Sequence, residues 1–529
     1  MKLKWLALSM LALIGSLPVG AQSKMNVEAY EAAVKKLYMA HLAISSLYVD
    51  SVDTDKLTED AIIGMLKELD PHSAYSNAKE TKQMNEPLQG NFEGIGVQYN
   101  MLEDTLFVIQ PVSKGPSEKA GILAGDRIVT VNDTSIAGVK MSRDEIMRRL
   151  KGPKGSFVRL GVLRNGIDEM LHFDVKRDKI PMVSVDATYM LTKQTGLIRV
   201  SSFGAKTHQE VQEAIHTLKK QGMKHLILDL QQNGGGYLGA AIDIANEFLN
   251  IGDLIVYTKG RSTSDIRKYK ATGKGAFKEG KLAVLVDEYS ASAAEIVTGA
   301  IQDHDRGIII GRRTFGKGLV QRPLDLPDGS SMRLTIARYY TPAGRCIQKP
   351  YKNGNKQSYN MDVINRYNRG ELIHADSIHF PDSLKYTTLK KGRVVYGGGG
   401  IMPDYFIPLD TAKYTKYYRE LTAKGVVIST TLKISDRYRK EIKAAHPTFK
   451  DFLKNYQIGE KELALLQQEA EKKSVKPKDD EERNKTIPLL KRQIKALLAR
   501  DFWDMSEYFE VIYQDDEAVC KALELLEKK

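Results

Sequence analysis

The sequence predicts a multidomain α/β protein, and three observations lead to this fold class. The chain has 529 residues, which is too long for a single hydrophobic core. Its composition of 42% hydrophobic and 27% charged residues is typical of ordinary globular domains. Strand-like and helical patterns alternate through the middle of the chain, whereas both ends have helical periodicity. We therefore expect a mixed α/β core with helical regions at both ends.

Changes in pattern divide the chain into five parts. They are a signal peptide at 1–21, an N-terminal helical region at 22–90, a small domain of short strands at 91–178, a mixed α/β core at 179–410 and a C-terminal helical region at 411–529. A run of charged residues predicts a flexible segment near 472–485. Three roles stay open for the C-terminal region: a lid, a dimer contact or a dock for an adaptor protein.

The first residues have the pattern of a secretory signal. Met1-Lys-Leu-Lys4 is basic, Trp5 to Leu17 is an apolar stretch too short for a membrane span, and Ala21 offers a small residue for cleavage before Gln22. No later run is long and apolar enough to cross a bilayer. We therefore expect an exported protein of the periplasm or cell envelope, with no transmembrane segment in its mature chain.

Charge and cysteine content exclude several partners. The formal net charge is +13, and it becomes +11 once Lys2 and Lys4 leave with the signal peptide. Basic residues alternate with acidic ones and form no stripe with interleaved aromatics, so we expect no nucleic acid partner. Cys346 and Cys520 are the only cysteines and lack metal-ligand spacing. Whether they pair stays open, and we expect the fold to need neither.

The part at 91–178 has short strand patterns around one helix. Arg164-Asn-Gly-Ile167 is a strong hairpin turn, and Ser142 is a predicted cap for the helix from Glu145 to Lys151. The strand patterns are Phe92–Val97, Thr105–Ile109, Asp126–Val131, Phe157–Leu163 and Leu171–Val175. This order resembles a PDZ domain, a small β-sandwich or barrel with helices.

Ser292 is a candidate nucleophile because of its position. It follows the buried-strand run Leu282–Val286 and precedes the helical pattern from Ala293 to Ile301. The backbone amide of Ala293, at a helix N-terminus, is a natural donor to an oxyanion. Ser292 and Glu295 also match a capping box, and by local pattern alone a cap is the more frequent role of such a serine.

Lys317 is a candidate base on a glycine-flanked turn. A free lysine titrates near ~10.4, whereas a general base works best near ~7–8, so burial must lower its pKa by about 3 units. Phe315 and Leu319 are apolar neighbours suited to that burial, and Gln321 can hydrogen-bond the amine. Taken alone, Lys317 is more often a solvated surface charge.

Family resemblance changes this balance. The motifs appear in one order along the chain: Leu69-Asp-Pro-His-Ser73, Phe92-Glu-Gly-Ile-Gly-Val97, Leu228-Asp-Leu230, Gly234-Gly-Gly-Tyr237, Tyr289-Ser-Ala-Ser-Ala-Ala-Glu-Ile296, Gln302-Asp-His-Asp-Arg306, Thr314-Phe-Gly-Lys-Gly318 and Tyr339-Tyr-Thr-Pro-Ala-Gly344. Together they resemble the carboxyl-terminal processing proteases, or tail-specific proteases, of peptidase family S41. That family places its lysine 25 residues after its serine, as Lys317 follows Ser292 here.

The resemblance implies a role for each motif residue. Ser292 is the implied nucleophile, Lys317 the general base and Gln321 the residue that orients the lysine, on a core like the ClpP and crotonase fold. The family's Asn-Pro-Gly-Gly loop is Asn233-Gly-Gly-Gly236 in this chain. Because the proline is absent, the amide that completes the oxyanion hole beside Ala293 is open, and we choose Gly235.

The PDZ resemblance implies a peptide site. A PDZ domain adds an extended peptide to a sheet edge and holds its terminal carboxylate on loop amides. The implied carboxylate loop is Gly94, Ile95, Gly96 and Val97. Ile146 and Leu150 are expected to line the groove for the last side chain, with core packing as the alternative for each.

Two glycine-rich turns imitate nucleotide sites. Gly234–Gly239 fits a dinucleotide-binding turn in part, but polar residues separate it from the preceding strand. Gly311–Lys317 fits most of a phosphate-binding loop, but Gly318 supplies no hydroxyl for magnesium and no helical pattern follows. We therefore give a nucleotide-dependent enzyme little weight.

The sequence as a whole predicts an exported serine endopeptidase with a Ser-Lys dyad. We expect it to recognise the C-termini of envelope proteins through its PDZ domain, and to need no metal or cofactor. A homo-oligomer or an adaptor protein is compatible with the sequence. The main alternative is a catalytically silent PDZ-containing scaffold of the envelope.

Overall fold

The computed structural model of the protein describes residues 27–262 and 264–528. The predicted signal peptide, 1–21, lies outside the described residues. By internal contacts the chain divides into two compact units. The first unit contains the described residues up to Asn85, Gln231–Glu279 and Val286–Tyr405; the second contains Glu86–Leu230, Gly280–Leu285 and the residues from Phe406 onward. Within the described ranges, every helix is too short or too polar to span a bilayer.

Helices are concentrated at the two ends of the chain, as the sequence predicts. The α-helices of the described residues are α1 (Val27–Leu47), α2 (Thr54–Lys67), α3 (Ala78–Gln89), α4 (Pro116–Ala120), α5 (Arg143–Leu150), α6 (Thr207–Lys220), α7 (Leu238–Asn246), α8 (Ala293–Asp303), α9 (Lys356–Asn360), α10 (Asp362–Asn368), α11 (Lys416–Ala423), α12 (Val426–Ala445), α13 (Phe449–Asn455), α14 (Glu460–Lys472), α15 (Asp480–Phe502), α16 (Met505–Ile512) and α17 (Glu517–Glu527).

Strands fill the middle of the chain. They are β1 (Ala74–Ser76), β2 (Asn91–Gly94), β3 (Val97–Leu102), β4 (Thr105–Pro111), β5 (Arg127–Val131), β6 (Thr134–Ser135), β7 (Phe157–Leu163), β8 (Leu171–Lys176), β9 (Asp178–Pro181), β10 (Val185–Met190), β11 (Thr195–Val200), β12 (His225–Asp229), β13 (Leu254–Lys259), β14 (Ile266–Lys270), β15 (Leu282–Val286), β16 (Ile308–Gly311), β17 (Leu319–Asp325), β18 (Ser331–Tyr340), β19 (Lys385–Thr387), β20 (Val394–Tyr396) and β21 (Tyr405–Phe406).

The first unit contains an antiparallel sheet in which β18 is the central strand. The order is β1, β18, β13 and β14, and β17 also pairs with β18. Gln321 on β17 lies opposite Thr335 on β18. Helix α8 is buried along its whole length, and its polar residues Glu295, Gln302 and Asp303 are hydrogen-bonded to other segments.

The second unit contains a mixed sheet in which β10 pairs antiparallel with β11, while β11, β12 and β15 run parallel. All five residues of β15 are buried, which is typical of parallel strands covered on both faces. This sheet confirms the mixed α/β fold class. On β12, Asp229 is bonded to Arg199 of β11 and to the hydroxyl of Tyr513 from the C-terminal region.

The small domain also lies in the second unit. Its sheet has the order β3, β4, β5, β7 and β8, with β6 paired to β5. The stretch Phe92–Val97, predicted as one strand, is divided in two, because Gly96 has a positive φ of 72° and turns the chain between β2 and β3. The predicted cap is present, since Ser142 Oγ accepts a hydrogen bond from the Glu145 amide at 3.2 Å.

The C-terminal helices share one hydrophobic core. Phe452, Leu490 and Ile494 are at its centre and are fully buried. The connection between α14 and α15 spans 473–479, and Val475 within it is buried. Helix α15 begins at Asp480, where Asp479 caps it by accepting from the Glu482 amide at 2.8 Å.

Candidate active site

Ser292 lies on the turn between β15 and α8. Its backbone φ is 57° and its ψ is −111°, a conformation that costs a non-glycine residue about 1–3 kcal/mol. Ser292 is the N-cap residue of α8 and forms half of a capping box, because Glu295 Oε2 accepts a hydrogen bond from its amide. The Ser292 hydroxyl itself makes no side-chain capping hydrogen bond of normal geometry, although local sequence pattern favours that role.

The carboxylate of Glu295 joins the segment of Ser292 to the segment of Lys317. Its Oε2 accepts hydrogen bonds from the Ser292 amide at 2.8 Å and from the Lys317 amide at 2.9 Å. Its Oε1 accepts from the Gly316 amide at 2.7 Å and the Thr314 hydroxyl at 2.6 Å. Two turns that are distant in sequence are thus bound to one buried side chain.

Burial and hydrogen bonding act on Glu295 in opposite directions. Its side chain is completely buried, which raises the pKa of Glu295 to about 7, while the four donors favour the ionised form. A protonated carboxyl can accept fewer hydrogen bonds than a carboxylate. The junction therefore has its full set of acceptors only when Glu295 is ionised.

A second group bridges the same two turns. Tyr339, which is 1% exposed, directs its hydroxyl to the carbonyl of Ser292 at 3.0 Å and to the carbonyl of Lys317. Glu295 therefore binds the amides of both Ser292 and Lys317, and Tyr339 binds their carbonyls. We call the turn residues bound by Glu295 and Tyr339 the Ser292–Lys317 junction.

The Lys317 side chain is directed to Gln321. Its Nζ donates to Gln321 Oε1 at 3.0 Å, and Gln321 Nε2 donates to the backbone carbonyl of His72 at 2.5 Å. This second bond selects the amide rotamer, because the oxygen of Gln321, and not its NH2 group, then faces the lysine. Among the described residues, no hydrogen bond joins Lys317 Nζ to Ser292 Oγ.

The surroundings of Lys317 favour the neutral amine. Burial lowers the pKa of Lys317, and the nearby Arg333 guanidinium lowers it further. Glu295 and Asp70 act in the opposite direction. The balance is a pKa below the ordinary lysine value of 10.5, which is the direction that a general base requires.

The walls of the lysine site differ in part from the expected ones. Leu319 is buried, with 3% exposure, as the sequence predicts. The ring of Phe315 instead packs against Lys349, whose Nζ atom lies 3.7 Å from the ring centroid. Phe315 therefore contacts a second buried lysine. The turn itself requires glycine at 318, where a Cβ would lie 2.8 Å from the Gln348 amide nitrogen.

Two backbone amides near Ser292 are candidates for an oxyanion hole. The Ala293 amide donates to no atom of the described residues. Gly235 lies against the serine, since a Cβ at 235 would be 2.8 Å from Ser292 Cβ and 3.0 Å from Ala293 N. The Gly235 amide donates to Asn233 Oδ1 at 2.8 Å, so the Asn233 side chain must move before this amide can bind an oxyanion.

Sequence reasoning did not identify every residue of the junction. Glu295 was recognised only as half of a capping box, and its bonds to the second turn had no local signal. His72 belongs to the motif Leu69-Asp-Pro-His-Ser73, whose sequence indicates no role for it. Tyr339 belonged to another such motif, and neither its position nor its type indicated that it bridges Ser292 and Lys317.

The proposed carboxylate loop has free amides in the second unit. Ile95 and Gly96 lie between β2 and β3, and their amides donate to no acceptor in the described part of the chain. The Ile95 carbonyl is held by the Ser117 amide at 3.0 Å and by its hydroxyl at 2.7 Å. Gly94 ends β2, and Val97 begins β3, an edge strand of its sheet.

The expected groove residues on α5 are deeply buried. Ile146 is 0% exposed and Leu150 is 3% exposed, and both belong to the core of the small domain. Met147, on an adjacent face of the helix, is partly exposed. Ile146 and Leu150 therefore contact a peptide only if the space between α5 and β3 opens.

Metal and nucleotide sites have little support. In residues 27–262 and 264–528, no group of three or more His, Cys, Asp or Glu side chains is placed to hold a metal ion. Strand β17 begins directly after Gly318, whereas a phosphate-binding loop leads into a helix. Cys346 and Cys520 are both free thiols.

Comparison with protein-family models gives four matches along the chain. Residues 194–354 match peptidase family S41, and residues 94–176 match the PDZ domain. Residues 12–81 match the N-terminal domain of the activating protease CtpB, and residues 417–504 match a family of unknown function. The fold and these matches define a serine-type peptidase with a PDZ domain.

Curated relatives agree with this class. The chain is 38% identical over 309 residues to a carboxy-terminal-processing protease of Bartonella bacilliformis, a match that covers 58% of this chain and 70% of the relative. It is 35% identical over 341 residues to a probable CtpA-like serine protease of Staphylococcus epidermidis, a match that covers 64% of this chain and 68% of that relative. The chain therefore belongs to the carboxy-terminal-processing proteases of peptidase family S41.

Among solved structures, the chain is similar to a photosystem II D1 C-terminal processing protease. The sequences are 32% identical, the match covers 59% of this chain and 89% of the other, and the TM-score is 0.34.

Proposed function

We propose that this protein is an exported endopeptidase that uses a Ser-Lys dyad to process or degrade envelope proteins from their C-termini. Ser292 is the nucleophile, Lys317 the general base and Gln321 the residue that orients the lysine. The observation that carries the proposal is the shared carboxylate oxygen of Glu295, which binds the amides of both Ser292 and Lys317.

The proposed reaction has two halves. The neutral amine of Lys317 takes the proton of Ser292 Oγ as the oxygen attacks the peptide carbonyl, and the ammonium then protonates the leaving amine. Water cleaves the resulting ester, with Lys317 again acting as base. Nζ must approach Oγ for this transfer, and such catalytic hydrogen bonds often tighten only when substrate binds.

Backbone amides stabilise the oxyanion in this proposal. The Ala293 amide is the first donor, at the N-terminus of α8, where the helix dipole also favours negative charge. The second donor comes from the loop Asn233–Gly236, with Gly235 as our choice because of its contact with Ser292. Its release from Asn233 is then a step that precedes catalysis.

Substrate recognition is assigned to the PDZ domain. A terminal carboxylate is held by the free amides of Ile95 and Gly96 in the loop Gly94–Val97, and the peptide adds as a strand beside β3. Binding there raises the effective concentration of the substrate chain at the protease. A homo-oligomer or an adaptor protein would add to this mechanism without replacing it.

Replacement of the two dyad residues tests the proposal. Ser292→Ala and Lys317→Ala are each expected to lower the rate of casein cleavage by about 1,000-fold or more. Lys317→Met is the matched variant, because methionine keeps an unbranched apolar side chain in the buried site but has no amine to serve as a base, and it should be equally inactive. The thermal midpoint of each variant should stay close to that of the natural protein.

Two results would contradict the proposal. A Ser292→Ala variant that keeps its activity but loses about 1 kcal/mol of stability would make Ser292 a helix cap. Failure of a fluorophosphonate to label Ser292 in the folded protein would favour the silent scaffold. Export is tested separately, since mass spectrometry of the protein from the cell envelope should find Gln22 as the first residue.

A further inference from the structure

Within the first unit, hydrogen bonds form a closed ring that starts at Lys317 and ends at its neighbour Gly318. From Lys317 the ring passes to Gln321, then to the backbone of His72, as described above. His72 Nε2 is 2.9 Å from the hydroxyl of Tyr359. Gln348 Nε2 donates to the same hydroxyl at 3.2 Å, and Gln348 Oε1 accepts from the Gly318 amide at 2.8 Å. The ring therefore returns to the residue next to Lys317.

The donors and acceptors of Gln348 and Tyr359 indicate which group donates in each hydrogen bond of this ring. Gln348 Nε2 donates to Tyr359 and to the Lys349 carbonyl at 2.8 Å. We infer that the Tyr359 O–H donates to His72 Nε2, because this gives the hydroxyl proton an acceptor; such a bond requires a neutral imidazole. Burial, and secondarily the charge of Lys317, lower the pKa of His72 to about 4, so the ring of His72 is neutral at physiological pH.

Tyr359 is fixed independently of its hydroxyl. It is 4% exposed, and its ring packs edge-on against His72, Phe315 and Tyr351. Lys349 Nζ lies 4.1 Å from the Tyr359 ring centroid and bonds to Asp362 at 3.1 Å. Removal of the hydroxyl alone should therefore leave the ring in place.

The backbone of the turn that carries His72 is held by the His72 amide, which donates to Asp70 Oδ1 at 2.9 Å, and by β1, which follows the turn and pairs with β18. Asp70 also accepts from the Thr335 hydroxyl at 2.9 Å, and Ser73 Oγ accepts from the Thr335 amide at 3.1 Å. The only side-chain attachment of His72 in the described structure is the bond to Tyr359. We expect loss of that bond to let the His72 carbonyl shift, and Gln321 with it, because the remaining bonds hold the backbone and leave the His72 side chain without a hydrogen bond.

We propose that His72 and Tyr359 are positioning residues for the general base, which act by holding the Gln321 amide with its oxygen toward Lys317 Nζ. An amine that donates to Gln321 keeps its lone pair free for the proton of Ser292. This inference rests on the proposed function, because it needs Lys317 to be the base. Neither residue contacts the scissile bond in this mechanism.

The test is removal of one hydroxyl. Tyr359→Phe should lower kcat for casein by about 5- to 10-fold, the effect of one lost hydrogen bond of moderate strength, with KM changed less than about twofold. It should also move the rising limb of the pH–rate profile to higher pH. The reason is that water admitted beside Lys317 weakens the burial that lowers its pKa, while Arg333, Glu295 and Asp70 stay in place.

His72→Phe provides a second variant, because it breaks the same bond from the other side and keeps an aromatic ring. The double variant should lose no more activity than either single variant, since both remove one interaction. Tyr351→Phe is the matched control. Its ring packs against Tyr359 but its hydroxyl lies outside the hydrogen-bond ring, so kcat and the pH profile should not change.

Folded fractions are measured by circular dichroism, and rates are expressed per folded molecule. If Tyr359→Phe fails to fold, His72→Phe decides the question. Natural kcat and an unchanged pH profile in the folded variants would overturn the inference, as would a loss in the Tyr351→Phe control of the same size. An active Lys317→Ala variant would instead overturn the proposed function itself, so the two failures are distinguishable.

Discussion

The backbone amides of the Ser292–Lys317 junction and those of the proposed PDZ carboxylate loop differ in their hydrogen bonding. In the junction, the amides of Ser292, Gly316 and Lys317 are all bound to the buried carboxylate of Glu295. In the loop, the amides of Ile95 and Gly96 donate to no atom of the described residues. The amides of the first region are satisfied by one buried side chain, whereas those of Ile95 and Gly96 have no acceptor in the described structure, as the proposed carboxylate site requires.

This difference separates two kinds of effect. A change in the junction disturbs groups that are already positioned, so it should lower the rate of the chemical step. A change in the loop removes a contact that exists only in the complex, so it should weaken substrate binding. Substitutions in each region, together with changes of pH, test whether effects on the chemical step and effects on substrate binding are separate.

The largest effect is expected for Glu295→Gln. In either orientation the new NH2 group faces at least one backbone amide, that of Gly316 or those of Ser292 and Lys317, so donors oppose donors and we expect the two turns to separate. We expect kcat for casein to fall by about 100-fold or more, the cost of misplacing catalytic groups by about 1 Å. Binding of a peptide to the PDZ domain should be unchanged.

The matched control for this variant is Glu288→Gln. Glu288 is also a buried glutamate close to the same turn, with 4% exposure, but its partner is Arg312 at 2.6 Å. Its activity per folded molecule should stay within about threefold of the natural value. Equal losses in both variants would show that any buried charge near the turn matters as much as Glu295.

The next effect concerns stability in the small domain. Ile146→Ala should lower the free energy of unfolding by about 2–4 kcal/mol, because it leaves a cavity at a fully buried site. Met147→Ala, at a partly exposed site on the same helix, should cost less than about 1 kcal/mol. Urea denaturation of the full chain measures both.

This pair also locates the peptide groove. If Met147→Ala weakens peptide binding while Ile146→Ala changes only stability, the groove is lined by the exposed face of α5. If Ile146→Ala weakens binding in folded protein, α5 and β3 separate to admit the peptide, and the sequence-based assignment of Ile146 is correct.

A third prediction concerns pH. Burial lowers the pKa of Lys317, and the proposed mechanism uses its neutral form. The value of kcat/KM should therefore rise with pH through that lowered pKa, by up to about 10-fold per unit below it. Deprotonation of Glu295 near pH 7 should steepen the rise, since the junction needs its carboxylate. Activity measured with casein between pH 6 and 9 tests both.

The raised pKa of Glu295 also predicts that the free energy of unfolding falls as pH rises, whereas activity is expected to increase. Its folded pKa is raised above the unfolded value, so its contribution to stability is present at low pH and is lost as pH rises through about 7. A protein that becomes more active but slightly less stable over this range would match the expectation. An activity that falls steadily from pH 6 to 9 would contradict a lysine base.

The smallest effect is expected for the peptide terminus. On full-length Ser292→Ala protein, amidation of a peptide with an apolar last residue should raise its Kd by about fivefold, because the free amides of Ile95 and Gly96 lose a charged acceptor. Fluorescence anisotropy measures both forms. Equal affinities would show that this loop does not bind the carboxylate.

Sequence pattern predicted the elements of both regions, because their signals are local. The apolar run of β15, the helix after Ser292 and the cap at Ser142 each depend on residues within a few positions. The extended stretch at Phe92–Val97 was predicted as one strand, whereas the positive φ of Gly96 divides it. A glycine inside a strand pattern permits such a turn but does not require it.

Sequence alone determined the multidomain α/β class, the order of the helical, PDZ and protease parts, and the family, since periodicity and motif order persist without any folded contact. Only the tertiary structure decided that Glu295 and Tyr339 each bind the backbone of both Ser292 and Lys317, and that Lys317 is linked through Gln321 to His72 and Tyr359. Those facts depend on buried hydrogen bonds between segments far apart in the chain. Such bonds carry no local signal, because each partner also has an ordinary role in its own segment.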